Sequence, residues 1–338
     1  VLDIRGSNFC ARLKNLDMII FYYLVLSFNT IKYLKQNYNK FDISSIFLSV
    51  LRYKFPLEMT HRIALTFGDA GENHVGMEMV GKLGAIGSGF TTDELRRAVH
   101  NLNDMGHTAE YNSFMLHGFD AGVLIIRNYL SDAHHNALLD EMDSFEWDTK
   151  YWDQRRKKVL NKHARSNVVI LDGISQEPEY ETGKGRIVDG DTLETFKELK
   201  SLMVNHINEA TETEKALNLI CEGNRYDNLT KQGIGYHGDK ERRKVIALSL
   251  GASTQMNWQW FQNSKPVGPT YKFTLNGGDI YIMSEKAVGY DWRLTKGGIL
   301  TMRHAAGATK YISLKKYGIP DKKKKVIKVP KKKKFIKS

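Results

Sequence analysis

From His61 onward, the spacing of apolar residues separates strands from helices. Arg62–Phe67 (RIALTF) is a short apolar run of strand length. Glu78–Ile86 (EMVGKLGAI) carries its apolar residues at helical spacing. Thr92, followed by Asp93 and Glu94, is the expected N-cap of a second helix that stops at Gly106. Thr108–Leu116 alternates as a strand does. Beyond Asp120, Gly122–Ile126 predicts a buried strand, Ser131 caps an amphipathic helix with Leu138, Leu139 and Met142 inward, and Thr192–Glu209 predicts another helix. Glu177–Gly190 is loop-like and is expected to act as a lid. After Gly233 strands dominate. They are Val245–Gly251, Asn257–Phe261, an Asn276-Gly277-Gly278-Asp279 turn leading into Ile280–Ile282, and Ile299–Gly307.

Composition changes this picture only at the two ends. The 338 residues, 41% hydrophobic and 26% charged, are those of a soluble globular protein with a sizeable core. The net charge of +12 sits in the tail: Lys315–Ser338 carries twelve lysines and one aspartate, +11, which leaves +1 for the rest. That tail reads as a disordered basic arm, suited to phosphates, to nuclear targeting or to an anionic membrane. At the other end Arg5, Arg12 and Lys14 precede an apolar run, Met18–Phe28, too short for a membrane span and suited to a signal-type segment or a buried helix. Globular patterning begins at Met59. The expected organisation is therefore an extension over 1–58, a small α/β module over 59–119, a main domain over 120–314 and a basic tail over 315–338. Cys10 and Cys221 are the only cysteines, which excludes a disulfide framework and a cysteine zinc site. An intracellular, reducing compartment, cytoplasm or nucleus, is expected.

The candidate chemistry centres on Gly233–Leu250 (GIGYHGDKERRKVIALSL). On a strand, residues two apart leave the same face, so the His237 imidazole and the Asp239 carboxylate can grip one metal ion. Asn224 and Tyr226, in GNRYD, are likewise two apart. In ILTMRHAAG, Arg303 supplies a fork-shaped cation suited to a carboxylate. Asp69, Glu72 and His74 in DAGENH invite a metal reading too, but acidic residues at a helix start explain them more simply. Trp258 and Trp260 share one face and Phe261 takes the other, so these rings either fill the core or stack on a base.

Taken in order, Asn-x-Tyr, His-x-Asp, the SLG strand, the Gly-Asp strand and a terminal Leu-Thr-x-Arg resemble the AlkB family of iron(II)- and 2-oxoglutarate-dependent dioxygenases, over about Asp120–Leu314. The resemblance implies an α+β fold with a double-stranded β-helix (jelly-roll) core and flanking helices. It implies Fe(II) and 2-oxoglutarate as cofactor and co-substrate, dioxygen, and oxidative dealkylation of nucleic-acid bases in DNA or RNA. His237 and Asp239 would hold the iron, and Arg303 with Asn224 and Tyr226 would hold 2-oxoglutarate. The chain departs from the family where a late ligand histidine should precede the final arginine. Asp291 is the expected third ligand, with His304 as the alternative. His304 adjoins Arg303, and neighbours on a regular strand face opposite ways, so both turn inward only with a bulge. Lys296 stands where many family members carry a second arginine. Two further functions fit the same residues: a nucleic-acid-binding protein that kept the fold without the activity, and a hydroxylase of a protein or small molecule.

Overall fold

The structure, a computed structural model, describes residues 60–319 apart from Asn73, Val75 and Lys296. The expectations for residues 1–58, for Lys296 and for most of the basic tail lie outside the described residues. The architecture is mixed α+β with large antiparallel sheets. The larger sheet has eight strands in the order β4 (Thr108–Ser113), β5 (Gly122–Arg127), β15 (Ile280–Met283), β12 (Val245–Gly251), β1 (Arg62–Gly68), β10 (Ile220–Tyr226), β8 (Ser166–Leu171) and β9 (Ile187–Asp189). Within it, only β8 and β9 pair in parallel. The smaller sheet runs β11 (Gly233–His237), β16 (Leu300–Gly307), β13 (Thr254–Gln262) and β14 (Lys265–Leu275). Two hairpins stand apart from these sheets, β2 (Ala70–Glu72) with β3 (Met79–Gly81) and β6 (Lys150–Asp153) with β7 (Lys158–Asn161). The described helices of two or more turns are α1 (Thr92–Asp104), α2 (Asp132–Met142) and α3 (Glu194–Thr211).

The two sheets share one core, in which Trp258, Trp260 and Met302 of the smaller sheet meet Val123, Ala247 and Tyr281 of the larger. On the far face of the larger sheet, Phe196 of α3 stacks on Phe67 of β1 with ring centroids 6.0 Å apart. Strand β1 is thus buried on both faces, which is why its sequence is a nearly continuous apolar run rather than an alternation.

That strand overturns the expected boundary at residue 119. Instead of belonging to a separate module, β1 lies between β10 and β12, with Arg62 opposite Tyr226 on one side and Gly251 on the other. Strand β4 likewise extends the same sheet through β5. Residues 60–119 are therefore part of the main domain. Glu78–Ile86 is not a helix either. Gly81 takes a left-handed conformation with φ +97°, and Leu83 and Ile86 of that stretch are exposed, so the apolar spacing faces no partner. Helix α1 is capped one residue earlier than expected, by Thr91, in a capping box with Glu94. Ser131 caps α2 as expected. Among the described residues no helix is long and apolar enough to cross a membrane.

Trp258, Trp260 and Phe261 are fully buried, so none of these rings is open to stack on a base. Trp258→Ala is expected to cost about 3–5 kcal/mol of stability, read as a lowered midpoint in urea, because the indole fills the junction of both sheets.

Candidate active site

Strands β11 and β16 pair antiparallel, with His237 directly opposite His304. The chain leaves β11 through Gly238, where a Cβ would stand 2.1 Å from the Gly289 carbonyl oxygen; glycine is required there for the two backbones to pass. The Asp239 N–H then donates to the Val288 carbonyl at 3.1 Å, and Asp239 turns back toward the two imidazoles. Its Oδ1 lies 3.5 Å from His237 Nε2 and 3.7 Å from His304 Nε2. One potential ligand atom from each residue falls within a set whose members are all within 4.8 Å of one another.

The protonation of this cluster suits a cation. The His237 Nδ1–H faces two acceptors, the carbonyls of Gly235 at 2.8 Å and His304 at 3.1 Å. With Nδ1 engaged by carbonyls, Nε2 is the nitrogen that a metal would take. Burial, reinforced by His237, pushes the His304 imidazole down to about 4, so it is neutral at ordinary pH. Burial acts to raise the Asp239 carboxyl, but His304, His237 and Arg242 outweigh it and hold the group ionised. Two imidazoles and one carboxylate form the donor set that iron(II) accepts while keeping positions open. The residues fit the metal.

The structure thus selects His304 and not Asp291. Asp291 is buried but turned away, its Oδ2 accepting from Lys286 Nζ at 2.5 Å. The strand alternation holds without a bulge in β16: His304 and Ala306 line the cavity, whereas Arg303 points to the opposite face. There the Arg303 guanidinium lies 4.2 Å from the centre of the Phe261 ring and 5.3 Å from that of Trp292, and donates to the Trp292 carbonyl at 3.1 Å. It does not line the cavity, and the expected role of Arg303 in holding 2-oxoglutarate is withdrawn.

The cavity, about 320 Å³, opens between the sheets and is lined by the triad together with Arg62, Asn224, Tyr226 and Tyr281. Arg62 begins β1 and is 4% exposed. It donates to Ser249 Oγ at 3.1 Å and, more weakly, to the Leu275 carbonyl at 3.4 Å. Among the described residues, no carboxylate lies within ion-pair distance of it. Burial pulls its pKa below the ordinary value, against the opposing influence of Tyr281, Tyr226 and Asp279. A buried cation without a counter-charge is costly in isolation, and it faces a cavity of the right size to admit a small dicarboxylate. The expected companions Asn224 and Tyr226 are on β10 beside it, Tyr226 in direct register with Arg62.

Residues dismissed in the sequence also reach this site. Glu72 and His74 line the cavity, in a strand and turn rather than at a helix start. Asp69 frames the loop that carries Asp239: its Oδ2 accepts from the N–H groups of Arg243 at 2.6 Å and Lys244 at 2.8 Å, and its Oδ1 pairs with Lys244 Nζ at 3.1 Å. Glu177–Gly190, the expected lid, does not line the cavity; it contains β9 and is fastened along β8.

Residues 122–288 match the family model of the 2OG-Fe(II) oxygenase superfamily. The chain belongs to that superfamily. Membership brings Fe(II) and 2-oxoglutarate, in agreement with the His-Asp-His cluster. An uncharacterized protein of Acanthamoeba polyphaga mimivirus is 37% identical over 264 residues, which span 75% of this chain and 99% of that protein. The matched segment of this oxygenase holds Asn224, Tyr226, His237 and Asp239 but stops short of both Arg62 and His304. Arg62, which the sequence reading missed, and His304, its alternative third ligand, are therefore on strands at either side of the family match. A signal for the first was available: an arginine that opens an apolar strand must meet either solvent or a counter-charge.

Proposed function

We propose that this chain is an active iron(II)- and 2-oxoglutarate-dependent dioxygenase on a double-stranded β-helix, with iron held by His237, Asp239 and His304. The observation that carries this reading is the complete triad opening on the cavity that Arg62 closes. A complete donor set speaks against a binding protein that lost its chemistry. Arg62 would hold the distal carboxylate of 2-oxoglutarate, with Asn224 and Tyr226 beside it to orient the molecule. When bound, iron(II) supplies the activation of dioxygen that couples 2-oxoglutarate decarboxylation to substrate oxidation. 2-Oxoglutarate loses carbon dioxide and becomes succinate with one oxygen atom, and the other enters a substrate C–H bond. The walls around Arg62, including Tyr281 and Met283, exclude water from the co-substrate.

For the substrate we propose an alkylated nucleic-acid base, whose hydroxylated N-alkyl group leaves as an aldehyde. Beyond the resemblance, this reading draws on cationic side chains along the cavity. Arg165, Lys240 and Arg293 line it. His74 stacks on Tyr151 of β6 at 3.7 Å, which places the β6–β7 hairpin, with Arg155, Arg156, Lys157 and Lys158 exposed, beside the opening. The test is succinate formation by purified protein with Fe(II) and 2-oxoglutarate, with and without methylated oligonucleotides. Succinate and formaldehyde in step with each other are expected; no succinate under any condition overturns the oxygenase reading. Succinate without any oligonucleotide stimulation points instead to a protein or small-molecule substrate. Reversing the four hairpin charges to glutamate is expected to weaken oligonucleotide binding and to flatten its log–log salt dependence. The slope should fall by about 0.7 for each single-strand phosphate that the hairpin no longer neutralises.

A further inference from the structure

We propose that Arg242 is a positioning residue for the metal ligand Asp239, fixing which carboxylate oxygen faces the imidazoles. The inference rests on the reading of His237, Asp239 and His304 as the metal site.

The two oxygens of Asp239 have different surroundings. Oδ1 is the atom that lies 3.5 Å and 3.7 Å from the histidine Nε2 atoms. Oδ2 faces Arg242 Nη1 at 3.5 Å. With Oδ2 facing a guanidinium, the carboxylate presents one oxygen to a metal rather than two. A metal ligand that can rotate freely exchanges its oxygens and changes how many positions it fills, so a fixed rotamer keeps the remaining positions open for co-substrate and dioxygen.

Arg242 is itself held from three sides. Its Nε donates to the Ala70 carbonyl at 2.7 Å, its Nη2 pairs with Glu222, and its own N–H donates to the Asp239 carbonyl at 3.3 Å. Glu222, buried on β10, also accepts from the Glu72 N–H at 3.3 Å and lies 3.6 Å from Arg165. Gly68 makes room for the arginine: a Cβ there would lie 2.6 Å from Arg242 Cδ and 2.9 Å from its Nε. The end of β1 and the start of β2 therefore supply a position without a side chain and a carbonyl acceptor, and one guanidinium uses both. Lysine cannot reproduce this arrangement, because a single ammonium cannot span Ala70, Glu222 and Asp239 in a planar fork.

The test uses the full chain stripped of metal and titrated with Mn(II), followed by electron paramagnetic resonance of the free ion. Arg242→Lys keeps the positive charge beside Glu222 and is expected to weaken Mn(II) binding about 10- to 100-fold. Gly68→Ala, whose Cβ crowds the Arg242 side chain and, at 2.9 Å, the Lys244 carbonyl oxygen, is expected to do the same with Arg242 intact. Arg127→Lys, which disturbs a comparable ion pair with buried Asp279 away from the site, is expected to leave Mn(II) affinity within about twofold of the parent, as a change outside the ligand shell should. Arg242→Lys and Gly68→Ala proteins that melt cooperatively and bind Mn(II) as the parent does would overturn the proposal, and so would a lowered melting temperature with unchanged affinity. Failure of the underlying metal-site reading has a separate signature: His304→Ala would then bind Mn(II) like the parent, whatever Arg242 does.

Discussion

Arg62→Gln is expected to raise the KM for 2-oxoglutarate by two to three orders of magnitude and to abolish the rise in melting temperature that 2-oxoglutarate gives the metal-loaded protein. Truncating one partner of a buried, hydrogen-bonded charge pair costs about 2–5 kcal/mol, and about 1.4 kcal/mol is tenfold in affinity. The upper part of that range applies because Arg62 is 4% exposed and no neighbouring cation on the same strand can replace it. The sign of the effect on the ligand-free protein is the more discriminating result. Arg62 holds its charge in the interior with a hydroxyl and a carbonyl but, among the described residues, no carboxylate. Removing an uncompensated buried charge stabilises, so Arg62→Gln without ligand should melt no lower than the parent. The parent, by contrast, gains RT ln(1 + [L]/Kd) when 2-oxoglutarate binds, about 2.7 kcal/mol at a hundredfold excess over Kd. Arg303→Gln is expected to behave oppositely. It loses its cation–π interaction with Phe261, worth about 0.5–2 kcal/mol, and so melts lower. Its KM for 2-oxoglutarate stays within about threefold, since it faces the far side of β16 from the cavity. Equal KM effects from the two substitutions would return the co-substrate role to Arg303.

What could be read from the chain and what could not divide along a physical line. His237 with Asp239, and Asn224 with Tyr226, were legible because each pair lies within one strand or its exit, and a period of two is a local property. The opposition of Arg303 and His304 was legible for the same reason. Which of the two faces the cavity was not, because that depends on which face of β16 the larger sheet covers. Arg62 was hidden more deeply. Strand β1 inserts between β10 and β12, neither of which adjoins it in sequence, and no residue in RIALTF announces its neighbours. The same hidden pairing made 59–119 look like a module of its own. It also left Asp69, Glu72 and His74 unassigned, although the path of the chain beyond β1 carries Glu72 and His74 to the cavity and Asp69 to the loop that holds Asp239. The helix expected at 78–86 fails for a different reason. The apolar spacing was present, but Gly81 and its left-handed backbone, together with the absence of a surface to receive Leu83 and Ile86, outweighed it.

His304→Ala and Asp291→Asn should separate cleanly, because the two residues do different work. Removing His304 leaves His237 and Asp239 as a two-ligand site. Iron-dependent turnover is expected to fall by roughly 10³-fold or more, the equivalent of losing about 4 kcal/mol of the stabilisation that a bound metal provides. The increase in melting temperature on adding Mn(II) should vanish with it. The loss of the side chain itself is modest for the fold, since an imidazole held neutral by burial gives up no ion pair when it is deleted. Asp291→Asn is expected to show the reverse pattern. The Asp291 carboxylate neutralises Lys286, which also donates to the Leu300 carbonyl at 2.7 Å. Replacing it leaves a part-buried ammonium without its counter-charge, at about 1–3 kcal/mol, reduced by solvent because the lysine side chain is 21% exposed. The variant should melt several degrees lower, yet bind Mn(II) with parental affinity and retain turnover. If instead Asp291→Asn abolishes metal binding while His304→Ala spares it, the third ligand is the carboxylate. β11 and β16 would then have to shift out of the register that places His237 opposite His304.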